Sequence, residues 1–196
     1  MHRILRAACL VFLLGRAVTP AQAQHEHAAM GAIAIPKGAL YTEADVRFMQ
    51  GMIAHHAQAI YMSRMAAAHQ AGPRLLRFAQ KIDQSQVAEI VLMQEWLRAN
   101  RQVAPDTGSW RTMQMPGMLT AEQLASLDAA HGAEFDRRFL TLMIQHHQGA
   151  LQMVADLLVS PLAAQDVDVS VLASDIQTVQ TAEIGVMRQM LSDIQP

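Results

Sequence analysis

Apolar residues recur at steps of three and four along most of this chain, in four long segments. In the first, Phe48, Met52, Ala59, Met62 and Met65 mark one face, the period of an amphipathic helix. The spacing predicts a helix from Thr42, where Thr42 and Asp45 form a Thr-x-x-acid start, to about His69. Gly72-Pro73 breaks it, with proline at a favoured first-turn position of the next helix. That second helix is predicted from about Arg74 to Asn100, with Leu76, Ala79, Ile82, Gln86, Ile90, Met93 and Leu97 on one face. The short turn between the two makes an antiparallel hairpin. Residues 101–119 hold Pro105, Gly108, Pro116 and Gly117 and read as a long connection, of a length usually functional or linking. Thr120-x-x-Gln123 caps a short helix ending near His131-Gly132. A third long helix is predicted from about Ala133 to Val159, stopped by Ser160-Pro161, and a fourth from about Asp166 to Asp193. No alternating strand pattern occurs. The expected fold is all-α, a four-helix bundle made of two hairpins.

The two hairpins are copies. Asp45-x-Arg47-Phe48 matches Asp136-x-Arg138-Phe139, and Met52-Ile53-x-His55-His56 matches Met143-Ile144-x-His146-His147. Ala59 and Met62 match Ala150 and Met153, all at an offset of 91. In the partner helices Ile82, Gln86, Glu89-Ile90 and Met93 match Ile176, Gln180, Glu183-Ile184 and Met187 at an offset of 94. The second hairpin therefore has a longer turn. A duplicated hairpin is expected to pack about a pseudo-twofold axis, which would bring the two His-His pairs towards each other.

Each residue of a helix turns by about 100°, so Met52, His55, His56 and Met62 fall within a stripe about 120° wide. The stripe also carries Phe48 and Ala59 and so faces the core. The same holds for Met143, His146, His147 and Met153. Imidazole and thioether together suit copper: Met sulfur favours Cu(I), and His serves both Cu(I) and Cu(II). Zinc takes His but rarely Met. Asp45, Asp136, Glu89, Glu183, Gln86 and Gln180 are candidates to orient the imidazoles from behind. Methionine at helical spacing is more often core filler than ligand, whereas a duplicated His-His pair flanked by Met is harder to assign to packing. A second candidate is the loop Met113-Gln114-Met115-Pro116-Gly117-Met118. Its thioethers Met113, Met115 and Met118 could wrap Cu(I), or could cover one end of the bundle. His69 and His131 sit near helix ends, and Trp96 and Trp110 read as packing residues. Arg47 and Arg138 are expected to pair with acids of the repeat.

Composition changes the setting more than the fold. The chain has 196 residues, 52% hydrophobic and 16% charged, with 14 Met and few aromatics, enough for one domain with a real core. Residues 1–23 read as a secretory signal: Arg3 and Arg6, an apolar run from Ala7 to Leu14, and an Ala21-Gln22-Ala23 cleavage site. That run is far shorter than the ~20 residues a membrane helix needs, and no later segment would span a bilayer. Cleavage lowers Lys and Arg from 15 to 12 against 17 acids, a balance of −5, which argues against nucleic acid. It also removes Cys9, the only cysteine, leaving Met and His as the soft-metal ligands. Localisation is then expected in a periplasm or outside the cell. Residues 24–40, with His25, His27 and Met30, read as a flexible N-terminal arm, and residues 41–196 as the bundle domain.

Phe139-x-x-x-Met143-Ile144-x-His146-His147-x-Gly149-Ala150 resembles the signature of the bacterial domain-of-unknown-function 305 family. Phe48-x-x-x-Met52-Ile53-x-His55-His56-x-x-Ala59 is similar to its first-half counterpart. Met115-Pro116-Gly117-Met118-Leu119-Thr120 and Phe135-Asp136 also fit. The resemblance covers about residues 40–194. It implies a ferritin-like four-helix fold, commonly exported, and for some members periplasmic copper binding through Met and His. The family glycine stands at Gly149, while the first half has Gln58.

The function these readings favour is an exported protein that binds or buffers copper and exchanges it with periplasmic copper-handling proteins. The alternatives are a ferritin-like metal-dependent redox enzyme and a helical interaction module without metal. Di-iron bundles use Glu-x-x-His on two helices, and no Glu-x-x-His occurs here. No Cys-x-x-Cys-His for haem occurs either, and no nucleophile triad is legible. The balance is against an enzyme.

Overall fold

The computed structural model describes residues 32–194. The expected signal segment, Cys9, His25, His27 and Met30 lie outside the described residues. Five α-helices follow one another: α1 (Glu43–Met65), α2 (Pro73–Ala99), α3 (Ala121–Asp128), α4 (Gly132–Val159) and α5 (Val167–Asp193), with a 3-10 turn at Ser109–Arg111 before α3. No strand occurs among the described residues. The chain is all-α, and its four long helices form two hairpins, α1 with α2 and α4 with α5, which meet chiefly through α1 and α4.

Local signals set the helix ends. Asp45 closes back on Thr42, accepting from its N–H at 2.7 Å and its hydroxyl at 2.8 Å. Thr120 and Gln123 exchange the reciprocal bonds of a capping box at 3.0 and 3.2 Å, worth about 1 kcal/mol of helix stability. Helix α1 stops at Met65, short of the expected His69. Residues 66–70 form turns, and Gln70 takes a left-handed φ of 58°. The ring of His69 then folds back, Nδ1 donating to the Met65 carbonyl at 2.8 Å. On α2 the first core position is Leu75 rather than Leu76. Leu75, Ala79, Ile82, Gln86, Ile90, Met93 and Leu97 then run at unbroken steps of three and four, which keeps them on one stripe.

Helix α1 differs from the others in being buried on nearly every side. Helix α2 covers one flank, α4 another, and residues 113–119 a third. Gly51, Ala54, Ala57 and Ala59 keep it thin enough to be enclosed. Methionine fills much of the space around it, being unbranched and able to occupy irregular gaps.

The core separates into two main clusters. One holds Phe48, Met49, Met52, Met93, Met153 and Leu157. The other holds Met62, Met65, Phe139, Met143, Met187 and Met190. The early residues of α1 cluster with the late residues of α4, and the reverse at the other end. So α1 and α4 run antiparallel, and the four histidines lie between the two clusters.

Matched positions of the two hairpins make matched contacts. Glu43 pairs with Arg47, and Glu134 with Arg138 at 2.6 Å, as expected for the repeat acids. Asp45 accepts from the backbone N–H of Ala164, in the turn of the second hairpin, at 2.7 Å. Asp136 accepts from Gly72 N–H, in the turn of the first hairpin, at 3.1 Å. Each hairpin thus clasps the turn of the other. Residues 32–40 form no helix or strand; Ala34 accepts from Gln102 at 2.8 Å, and Ile33 packs on the first cluster.

Candidate metal centre

Where α1 crosses α4, the first histidine of each pair meets the other. The His55 and His146 rings lie 3.8 Å apart, centroid to centroid, at 43°. The second histidine of each pair turns to its own hairpin partner. His56 Nε2 donates to Glu89 at 2.5 Å, and His147 Nε2 donates to Glu183 at 2.9 Å. All four histidines are fully buried. Glu183 is also buried, with Lys81 at 3.5 Å from its other oxygen. Of the acids the sequence offered to orient the imidazoles, Glu89 and Glu183 take that place.

The hydrogen bond of His55 fixes its tautomer. Its Nε2 donates to the Pro116 carbonyl at 3.0 Å, so its Nδ1 carries a lone pair, while the Nδ1 atoms of His56 and His147 point away from their carboxylates. None of these three Nδ1 atoms has a hydrogen-bond partner, nor has either nitrogen of His146. Such buried orphans normally cost about 1–3 kcal/mol each. Burial pushes His55 down to about 3, with His56 adding to the effect and the Pro116 carbonyl opposing it. Burial, then the neighbouring imidazoles, hold His146 well below the usual range; the His55 backbone opposes weakly but makes no hydrogen bond of normal geometry with the ring. Both rings are therefore neutral, the state that can ligate a metal. The amide oxygens of Gln86 and Gln180, matched positions of the repeat, are likewise buried without a partner.

The candidate methionines group crosswise. Met52 lies in the cluster with Met153, and Met62 in the cluster with Met143. Met52 and Met143, matched positions of the repeat, therefore fall in different clusters. The histidines converge, and a methionine pair lies on either side of them, because antiparallel packing places the start of one helix against the end of the other. Among the described residues, no three His, Cys, Asp or Glu side chains are disposed to hold a metal ion.

The Met113–Met118 loop lies along the groove between α1 and α4. Met115 sulfur and the Met153 methyl lie 3.2 and 3.3 Å from where a Cβ on Gly51 would stand. Met118 sulfur accepts from Met115 N–H at 3.3 Å. Met113 is buried against Ala54 beside Trp110. Gln58 holds the Leu119 backbone at both ends, accepting its N–H at 2.7 Å and donating to its carbonyl at 3.2 Å. Gly149 admits the loop: a Cβ there would stand 1.9 Å from the Pro116 carbonyl oxygen. Gly117, at φ 77°, sits directly against it. The loop thus lies against both α1 and α4, with the Pro116 carbonyl on His55. Sequence reasoning missed the Pro116 carbonyl as the partner of His55. The glycines at 117 and 149 were the available signal, since paired glycines mark a close backbone approach.

One further expectation changes. Asp45 and Asp136 do not orient the histidines; as helix-start residues they reach the facing turns instead. His69 is a structural residue, its Nε2 against the Asp128 carbonyl and carboxylate at 3.0 and 3.1 Å and its ring stacked on His131 and Phe135. Trp96 packs edge-on against Tyr41 and Trp110 against Tyr61.

The family model described as "Domain of unknown function (DUF305)" matches residues 45–191, a span that includes all four histidines, Glu89, Glu183 and the Met113–Met118 loop. The chain belongs to the DUF305 family. It is similar to a DUF305 protein from Streptomyces coelicolor described as secreted, at 27% identity over 77% of this chain and 93% of that one, TM-score 0.69. It is similar to a DUF305 fragment from Deinococcus radiodurans, at 30% identity over 78% and 98%, TM-score 0.69. A third DUF305-like structure is CopM in its Cu(I)-bound form, at 29% identity over 78% and 98%, TM-score 0.62. CopM is also known in Cu(II)-bound and silver-bound forms. No curated protein matches the chain. No described helix is long and apolar enough to cross a membrane.

Proposed function

We propose that this DUF305 protein is an exported copper-binding protein, holding copper as cargo between α1 and α4 rather than turning over a substrate. The observation that carries the reading is the buried imidazole layer. Four Nδ1 atoms lack a partner there, and His55 and His146 stand 3.8 Å apart. A bundle that kept these histidines only for packing would leave that desolvation cost uncompensated. Neutral imidazole beside thioether is the donor set that suits copper.

His55 and His146 are the primary ligands in this reading, with sulfur from Met52, Met153, Met62 or Met143 completing the coordination. Glu89 and Glu183 hold His56 and His147 in the tautomer whose Nδ1 faces away from the carboxylate. Met113, Met115 and Met118 supply thioethers on the loop side. CopM, crystallised with Cu(I), Cu(II) and silver, supports copper as the cargo. The N-terminal residues support export to the periplasm or beyond, where the partners would be copper-handling proteins.

Native mass spectrometry and competition titration with Cu(I), Ag(I) and Zn(II) test the reading. The expected result is tight Cu(I) and Ag(I) binding by the wild type and loss of the tightest site in His55→Ala/His146→Ala. Unchanged stoichiometry and affinity in that double variant would overturn it. The mass of the protein recovered from a periplasmic extract should correspond to a chain starting at Gln24.

A further inference from the structure

The surface where the C-terminal half of α2 lies beside the N-terminal half of α5 has no role in the metal reading. A groove of about 460 Å³ opens there. Its floor is Met49, Trp96 and Leu172, all buried. The floor is rigid: Trp96 donates its indole N–H to Asp166 at 3.0 Å and stacks edge-on with Tyr41, whose hydroxyl donates to the Asn100 carbonyl at 3.4 Å.

The walls repeat one pattern on two antiparallel helices. On α2, Leu92 and Glu95 stand three apart. On α5, Asp168, Val171 and Asp175 stand at steps of three and four, hence on one face. Leu92 is 57% exposed and Val171 54%, large aliphatic area left in water at the lip of an apolar trough. Four acids line the groove, and no Lys, Arg or His does. Asp166 is occupied, capping α5 and holding Trp96. Glu95, Asp168 and Asp175 are exposed.

From this charge pattern we infer that the groove is a docking site for a basic amphipathic helix of a partner protein. The spacing of the walls suits that occupant: residues 92–99 and 168–175 each span roughly 10 Å, about two helical turns. A helix laid between them would seat its apolar stripe on Trp96 and Leu172, covering Leu92 and Val171, with Lys or Arg on both edges meeting the three free carboxylates. Helix-in-groove recognition uses this division, apolar anchors for affinity and flanking charge for orientation and partner choice. The inference does not depend on copper.

The test is fluorescence anisotropy of a labelled Leu/Lys amphipathic helical peptide with the whole purified protein. A peptide of identical composition and scrambled pattern serves as the second probe. Groove variant Glu95→Gln/Asp168→Asn/Asp175→Asn is compared with control variant Glu122→Gln/Glu134→Gln/Asp156→Asn, which removes the same charge elsewhere. All six acids are exposed, and circular dichroism checks that both variants fold. The expected result is binding of the patterned peptide, weakened at least about tenfold by the groove variant and little by the control. A second variant, Leu92→Lys, should weaken binding independently by placing a like charge on the apolar wall. Absence of binding, equal loss in both acid variants, or equal affinity for the scrambled peptide would overturn the inference. So would a protein whose self-association, seen by sedimentation, is abolished by Leu92→Lys, since the groove would then be covered by a second copy.

Discussion

His55 and His146 are the same residue of a duplicated motif, yet the structure treats them differently. His55 has a hydrogen bond to the Pro116 carbonyl, whereas His146 has none at either nitrogen. Three residues further on, Gln58 grips the loop with its side chain, while Gly149 yields its side chain so that the loop can enter. The cause is geometric. A single loop running between two helices related by a twofold axis cannot make the same contacts with both. One half therefore orients its imidazole with the loop, and the other keeps its imidazole unsatisfied.

The largest expected effect breaks the asymmetry at Gly149. In Gly149→Ala the new methyl would meet the Pro116 carbonyl and the Gly117 backbone, and the loop must leave the groove. We expect a loss of about 3–5 kcal/mol in urea unfolding and rapid proteolysis within 113–119. If stability falls by less than about 1 kcal/mol, the close approach is not what holds the loop.

Next comes pH. His55 is lowered from 6.5 to about 3 and His146 is lowered too, so between those values the unfolded chain binds protons that the folded chain does not. Stability of the metal-free protein is thus complete above about pH 6.5 and falls as the pH drops towards 3, by several kcal/mol in order of magnitude. His55→Leu/His146→Leu should flatten that dependence, as read by chemical denaturation at a series of pH values.

A smaller effect is expected from Gln58→Leu, which leaves the Leu119 N–H and carbonyl buried without partners. The cost should be about 2 kcal/mol, with amide exchange in 116–119 accelerated while that of α2 and α5 is not.

The smallest effect sharpens the comparison most. His146→Leu removes a buried group that bonds to nothing and should change metal-free stability by less than about 1 kcal/mol, or raise it. His55→Leu strands the Pro116 carbonyl and should cost about 1–2 kcal/mol. Equal costs in thermal unfolding would mean that the loop does not distinguish the two rings.

Much of this arrangement is legible in the chain itself. Periodicity and caps placed the long helices, missing the end of α1 because Gln70 takes a left-handed conformation that no apolar pattern announces. The repeat led Arg47 and Arg138 to be expected beside acids of the repeat, and the structure supplies Glu43 and Glu134, one turn away on the same helix. It also offered Glu89 and Glu183 as candidates to orient the imidazoles, without choosing which histidine each would meet. Side-chain period within a helix is fixed by backbone geometry, so same-helix neighbours such as Glu43 and Arg47 follow from spacing, whereas a partner on another helix does not.

What spacing could not decide is which residues meet between elements. Met52 clusters with Met153 rather than Met143 because α1 and α4 run antiparallel, and direction is a property of the packed pair. Asp45 and Asp136 reach turns more than sixty residues away, a contact that exists only once the hairpins dock. The loop path is also tertiary: Met113, Met115 and Met118 are a string of thioethers in the sequence, and only docking lays their loop along the groove between α1 and α4, with the Pro116 carbonyl on His55. The sequence alone determined an all-α duplicated hairpin with two His-His pairs turned inward. Docking of the hairpins, through the close approach of Gly149 and the grip of Gln58, decided that the two pairs form one buried layer with unequal halves.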